Sequence, residues 1–199
     1  MGLLRDMAKA MTPRPDVTVI IPSIPERAAL FARAVDSVRR QTLWGSGRIE
    51  VSTMIDVDRE GPAALRSKMV ASATTEWVAF LDDDDYLDPH HIETLLEHSK
   101  GVDVVIPHCR FDGPPLPDGY YNVPYRYADL RRHGIFPITV LARRRSILAA
   151  GAFRTTDRYE DHQLWNRMAR MGFRFRVVPE VTWSYRTSHA ERRTNGWNS

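Results

Sequence analysis

Four consecutive carboxylates, Asp82 to Asp85, follow the apolar run EWVAFL at residues 76–81. Adjacent carboxylates repel one another. Their hard oxygen atoms suit Mg2+ or Mn2+, which proteins commonly hold with one or two carboxylates together with substrate phosphates. A divalent ion would make the cluster tolerable; the alternative is that Asp85 and Asp88 cap the next helix while the others are solvated. Two more candidate positions follow apolar runs in the same way. The turn Pro22-Ser23-Ile24-Pro25-Glu26-Arg27 follows VTVII, and Asp56 and Asp58 follow IEVSTMI. In open α/β sheets ligands bind beyond the carboxyl ends of the strands, so these three places converge on one site if the runs are neighbouring strands.

The elements that would position them can be read from hydrophobic periodicity. DVTVIIP (16–22), IEVSTMIDV (49–57), EWVAFL (76–81) and VDVVIP (102–107) are short, β-branched and apolar, as strands buried on both faces are. Between them, Leu30, Ala34 and Val38, flanked by Phe31 and Val35, recur at helical spacing, and Leu65 and Met69 mark a second helix after Gly61-Pro62. Asp88-Pro89 reads as an N-cap followed by proline at the first helical position, with Ile92, Leu95 and Leu96 facing inward. Residues 111–125 are dense in Pro, Gly and Tyr and predict a long loop. Residues 137–153 predict a strand, a short helix and a glycine turn, and EDHQLWNRMARMGF sets Leu164, Met168 and Met171 on one stripe with Gly172 as C-cap. A last strand, RFRVVP, leads into VTWSYRTSH. Alternating strands and helices predict an α/β fold with a mainly parallel central sheet flanked by helices.

With 199 residues, 43% hydrophobic and 27% charged, the chain has the composition of one ordinary globular domain. The lone Cys109 excludes an internal disulfide and any multi-cysteine metal site, and fits a reducing compartment. No segment has the length and apolarity of a signal peptide or a membrane span, which predicts a cytoplasmic protein. The formal charge is +3, with Arg143, Arg144 and Arg145 in a run and Arg131, Arg132, Arg192 and Arg193 in the same half. Such a basic surface is either a solvated face or a site for an anionic partner. An EF-hand loop starting at Asp82 fails, because Tyr86 and Leu87 stand where an oxygen ligand and a glycine are needed.

VTVIIPSIPER, IDVDREGPAALRSK, WVAFLDDDD, YEDHQLWNRMARMG and WSYRTSH occur in the order found in family 2 glycosyltransferases, and over residues 16–190 the chain resembles that family. The resemblance implies a Rossmann-like GT-A fold, a nucleoside-diphosphate sugar donor such as a UDP-sugar, a divalent metal (Mn2+ or Mg2+), and inversion at the anomeric carbon. Residues 1–15 would be an N-terminal extension and 191–199 a tail. The donor half would run to about 108 and the acceptor half from 109.

By position, Asp82-Asp83-Asp84 matches the family's Asp-x-Asp motif, with Asp82 at the donor ribose and Asp84 on the metal. Asp56 matches the acid that reads the uracil, with Asp58 beside it. Arg66 matches a basic residue near the diphosphate, although the usual Arg-Asn pair reads Arg66-Ser67 here. Pro22 and Arg27 match residues that flank the nucleotide; a surface helix position is the alternative for Arg27. Glu160-Asp161 matches a Glu-Asp pair whose aspartate deprotonates the acceptor hydroxyl while Glu160 meets the acceptor. A hydroxyl is a poor nucleophile until a positioned base takes its proton, whereas without the resemblance both acids could simply favour a helix N-terminus. His189 stands near the place of a metal histidine, at a spacing one residue longer than the common one. Trp183 and Tyr185 are either core or acceptor-side residues.

Two other functions compete. A sugar nucleotidylyltransferase would need a Gly-rich basic phosphate loop early in the chain, and IPSIPERAAL has no glycine. A nucleic-acid-binding module would use the arginines, but acidic strand ends repel phosphates. The acceptor hydroxyl could belong to a glycan, a protein or a hydroxylated DNA base flipped from its stack, with Arg143 to Arg145 holding the backbone in the last case.

Overall fold

The computed structural model describes residues 15–114, 137–157 and 159–187. Within them, the apolar runs form strands β1 (Val17–Ser23), β2 (Ile49–Ile55), β3 (Trp77–Phe80), β4 (Tyr86–Leu87), β5 (Val104–Asp112), β6 (Leu141–Arg143) and β7 (Phe175–Arg186). The helices are α1 (Ala28–Arg39), α2 (Pro62–Ser72), α3 (His91–Glu97), α4 (Arg144–Ala149) and α5 (Glu160–Arg170). The strands make one seven-stranded sheet in the order β2-β1-β3-β6-β5-β7-β4. Strands β1, β2, β3, β5 and β7 share one direction, while β6 and β4 run against their neighbours. The sheet is therefore mixed but mainly parallel. It continues through residues 108 and 109, which lie inside β5.

Both faces of the sheet are covered, which explains why its central strands β1 and β3 and the first half of β5 are buried without alternation. On one face Ile20, Val78, Phe80 and Ile106 pack with Leu65 and Met69 of α2, Ile147 of α4, and Leu164, Trp165 and Met168 of α5. On the other, Val17, Val19, Ile21, Ala79 and Leu141 pack with Ala34 and Val38 of α1 and with Ile92 and Leu95 of α3. Trp183 is fully buried in this second core.

Three local expectations change. The start of α3 is not capped by Asp88: its N-cap is His90, with no side-chain hydrogen bond, because Asp88 accepts from Arg110 Nη1 of β5 at 2.9 Å. Met171 is 56% exposed rather than on the buried stripe, since α5 ends at Arg170 and Gly172 turns the chain with φ +84°. The expected loop begins later than read, because β5 extends to Asp112; residues 115–136 lie outside the described part.

Candidate functional site

The parallel strands β1 and β3 end side by side, Ile20 opposite Phe80, so the turn after β1 meets the acids after β3. The meeting explains how four adjacent carboxylates are held. Asp83 is 3% exposed and accepts from Ser23 Oγ at 2.6 Å and from Arg27 Nη1 at 2.8 Å. The same Arg27 nitrogen lies 3.5 Å from Asp84 Oδ2. Asp82 accepts from Arg66 Nη2 at 2.6 Å. Asp85, fully buried, accepts from the backbone N–H of Arg186 in β7 at 2.8 Å. The cluster is thus held from three sides: Asp82 from α2, Asp83 and Asp84 by Ser23 and Arg27 at and just after the end of β1, and Asp85 from β7. Burial raises the Asp83 carboxyl above the usual aspartate range, against the pull of Ser23 and Arg27.

Arg66 projects from α2 and is 5% exposed. Its Nη1 donates to Glu160 Oε1 at 2.5 Å, so one guanidinium joins the strand-end acids to the first residue of α5. Burial disfavours its charge, but Asp82 and Glu160 overcome that and raise its pKa above the ordinary arginine value. Glu160 and Asp161 stand in the first turn of α5, where the helix dipole favours negative charge. Asp161 Oδ1 accepts the backbone N–H of His162 at 2.8 Å. Burial is the main influence on Asp161 and pushes its pKa up; Glu160 adds to the rise, while His162 and Arg66 oppose it.

These groups share one cleft of about 460 Å³, lined by Pro22, Arg27, Arg66, Asp82, Asp83, Asp84, Glu160 and Asp161. Eight of the residues singled out in the sequence therefore come together. Asp56 and Asp58 do not line it. Asp56 is 2% exposed, and its two oxygens accept from the N–H groups of Glu60 and Gly61 at 2.9 and 2.8 Å, which fixes the loop that does line the cleft. Asp58 is exposed. His189 lies outside the described residues, as do Arg131, Arg132, Arg192 and Arg193. The periodicity gave no reason to mark Thr155, Asp157 and Tyr159, which also line the cleft; the only available signal was their place just before Glu160-Asp161. Tyr185 lines it too, unlike Trp183.

One carboxylate oxygen from each of Asp82, Asp84 and Asp85 lies within 4.8 Å of the others. This all-oxygen set fits a hard divalent cation of the Mg2+ or Mn2+ type. The arginine run lies elsewhere. Arg143 pairs in register with Trp77, at the end of β3 opposite to Asp82. Its guanidinium sits 4.3 Å from the Trp77 ring and pairs with Glu76. Arg144 donates to the carbonyls of Val70 and Ala71 at 2.9 and 2.8 Å and so closes the end of α2. Two of the three arginines are thus engaged by the fold, away from the cleft.

No helix among the described residues is long and apolar enough to cross a membrane. No curated protein matches the chain in sequence. Among solved structures, S. aureus TarS (residues 1–349) is similar at 15% identity and a TM-score of 0.67, over 86% of this chain and 60% of that one. The same protein has been solved in complex with UDP-GlcNAc, at 13% identity and a TM-score of 0.67, over 87% of this chain and 59% of that one. The mannosyltransferase PcManGT from Pyrobaculum calidifontis, solved with GDP-Man and Mn2+, is similar at 20% identity and a TM-score of 0.66, over 92% and 63%. The chain thus spans about 60% of the length of the TarS 1–349 structures. These likenesses establish the GT-A fold. The model of glycosyl transferase family 2 matches residues 52–178, from β2 through α2, the acidic cluster and α5 into β7, and with this sequence match beside the shared fold the chain belongs to that family.

Proposed function

We propose that this chain is the catalytic domain of an inverting glycosyltransferase, moving a sugar from a nucleoside-diphosphate donor, a UDP-sugar in the leading form, to an acceptor hydroxyl. The observation that carries this reading is the single cleft in which Asp82–Asp84 and Glu160-Asp161 face one another across Arg66. The domain would span residues 16–190, with the donor bound by residues up to about 108 and the acceptor by those from 109.

In this reading Asp82 meets the donor ribose, and Pro22 and Arg27 flank the nucleotide. Asp56, with Asp58 beside it, serves the uracil side by fixing the Glu60-Gly61 loop. Asp84, with His189, would hold Mn2+ or Mg2+, which when bound offsets the charge that grows on the departing diphosphate. Asp161 takes the acceptor proton while the acceptor oxygen bonds to C1. The bond from C1 to the diphosphate oxygen breaks as that bond forms, and its electron pair leaves with the nucleotide. Attack opposite the leaving group inverts C1. The raised pKa of Asp161 makes it a stronger base than an exposed aspartate, and Arg66 keeps Glu160 fixed beside it to meet the acceptor. The nucleotide donor and the absence of a disulfide support a cytoplasmic setting.

The test is to incubate the protein with UDP-GlcNAc or GDP-Man and Mn2+ and follow the first sugar released to water by NMR before it mutarotates. An inverted anomer, with release falling about 100-fold or more in Asp161→Asn, agrees with the reading. A retained anomer, or full activity in Asp161→Asn, contradicts it.

A further inference from the structure

We infer that Tyr159, backed by the stacked ring of His162, is a stacking platform for a pyranose ring, so that the acceptor is a saccharide hydroxyl; this rests on the transfer reaction proposed above. Tyr159 lines the cleft, directly precedes Glu160 and is 60% exposed. Its ring lies 5.8 Å from that of His162, nearly parallel at 20°. The tyrosine is held at φ 57° and ψ 61°, a left-handed conformation that bulky L residues rarely adopt, so the backbone turns sharply where α5 begins. A large aromatic surface is thereby set at the rim of the cleft, two residues from the base.

Two chemistries stack on such a surface: nucleobases, and the C–H faces of sugar rings, whose slightly positive hydrogens meet the electron-rich ring face. Charge decides between them. Around the platform the cleft presents Asp82, Asp83, Asp84, Asp157, Glu160 and Asp161, and its arginines Arg27 and Arg66 are already paired with acids of that set. Asp157 is likewise paired, with Arg167 at 2.5 Å. A polyanionic nucleic-acid backbone is repelled there. Carboxylates accept hydrogen bonds from hydroxyl groups, which a neutral sugar supplies in number. The run Arg143 to Arg145, which could hold a DNA backbone, begins at the opposite end of β3.

The experiment is saturation-transfer NMR on the full chain. Its probes are the methyl pyranosides of glucose, galactose, mannose and N-acetylglucosamine, and a single-stranded oligodeoxynucleotide carrying 5-hydroxymethylcytosine. At least one glycoside receives saturation on its ring C–H protons; the signal falls about five-fold or more in Tyr159→Ala, the size of one aromatic contact, and survives in Tyr159→Phe. Absence of saturation on every glycoside, an unchanged signal in Tyr159→Ala, or Tyr159-dependent binding of the oligonucleotide instead overturns the inference. Release of sugar from UDP-GlcNAc and GDP-Man, measured on the same wild-type protein, separates the two readings. Sugar release without Tyr159-dependent glycoside binding overturns the platform alone, whereas Tyr159-dependent glycoside binding without release of any sugar overturns the transferase reading, and with it the acceptor role, but not the platform.

Discussion

Arg66 ties Glu160 to Asp82, donating to the first at 2.5 Å and to the second at 2.6 Å. The two acids are far apart in sequence, one just after β3 and the other at the start of α5. A buried fork of fixed width sets the distance between them. The fork also explains why a basic residue read from the sequence as a diphosphate contact sits 5% exposed among carboxylates.

Replacing Arg66 by methionine leaves two acids facing each other without their shared cation. Loss of one partner from a buried ion pair costs about 3 kcal/mol, so Arg66→Met lowers the urea midpoint strongly. Arg66→Lys restores the charge but not the double hydrogen bond and falls between. An unchanged midpoint in Arg66→Met would remove the fork from the account.

Asp161 carries a raised pKa, so its ionised form is less favourable in the fold than in the unfolded chain. The resulting instability is absent below the ordinary aspartate range and is fully present above the folded pKa. Asp161→Asn, which can still accept the His162 N–H, is therefore expected to melt higher than wild type at pH 7, by a margin that shrinks toward pH 4. Melting curves across that range decide it. A variant that melts lower at pH 7 contradicts the assignment of burial as the main influence.

His91, the first residue of α3, is fully buried against β7, with its Nδ1 2.8 Å from Thr182 Oγ1 and its Nε2 without a hydrogen-bond partner among the described residues. Burial lowers its pKa to about 4, against the opposing effects of Thr182 and Asp88. The neutral ring is therefore compatible with the fold while the unfolded chain takes up a proton near pH 6.5. Stability is full above that pH and falls as pH drops toward 4, by up to about 3 kcal/mol. Denaturant titrations at pH 7 and pH 5 measure the slope, and His91→Gln should flatten it.

Much of the molecule was legible because its signals are local. Runs such as VTVII and WVAF are short and rich in β-branched or aromatic residues, which favours buried central strands, and the spacing of Leu164 and Met168 fixes the inward side of α5. The acids at strand ends were visible for the same reason. What escaped depends on partners distant in sequence. Asp83 looks like its neighbours until Ser23 and Arg27 close on it, and nothing in the run IEVSTMIDV shows that the N–H groups of Glu60 and Gly61 bond to both oxygens of Asp56. Asp88 looks like a cap until Arg110 captures it. The arginine run reads as a basic face because a sequence does not show that Trp77, Glu76 and the end of α2 lie beside it.

The central claim is that Asp84 and its neighbours hold a metal together with a nucleotide sugar. Melting temperatures with UDP-GlcNAc and GDP-Man, each with Mn2+ or with EDTA, test it directly. At a donor concentration about 100 times its Kd, binding adds about 3 kcal/mol, which for a chain of this size raises the melting temperature by about 5 to 10 °C. The account predicts that rise for at least one donor with Mn2+, its loss in EDTA and its loss in Asp84→Ala. No rise with either donor, or a rise that survives both EDTA and Asp84→Ala, would contradict it.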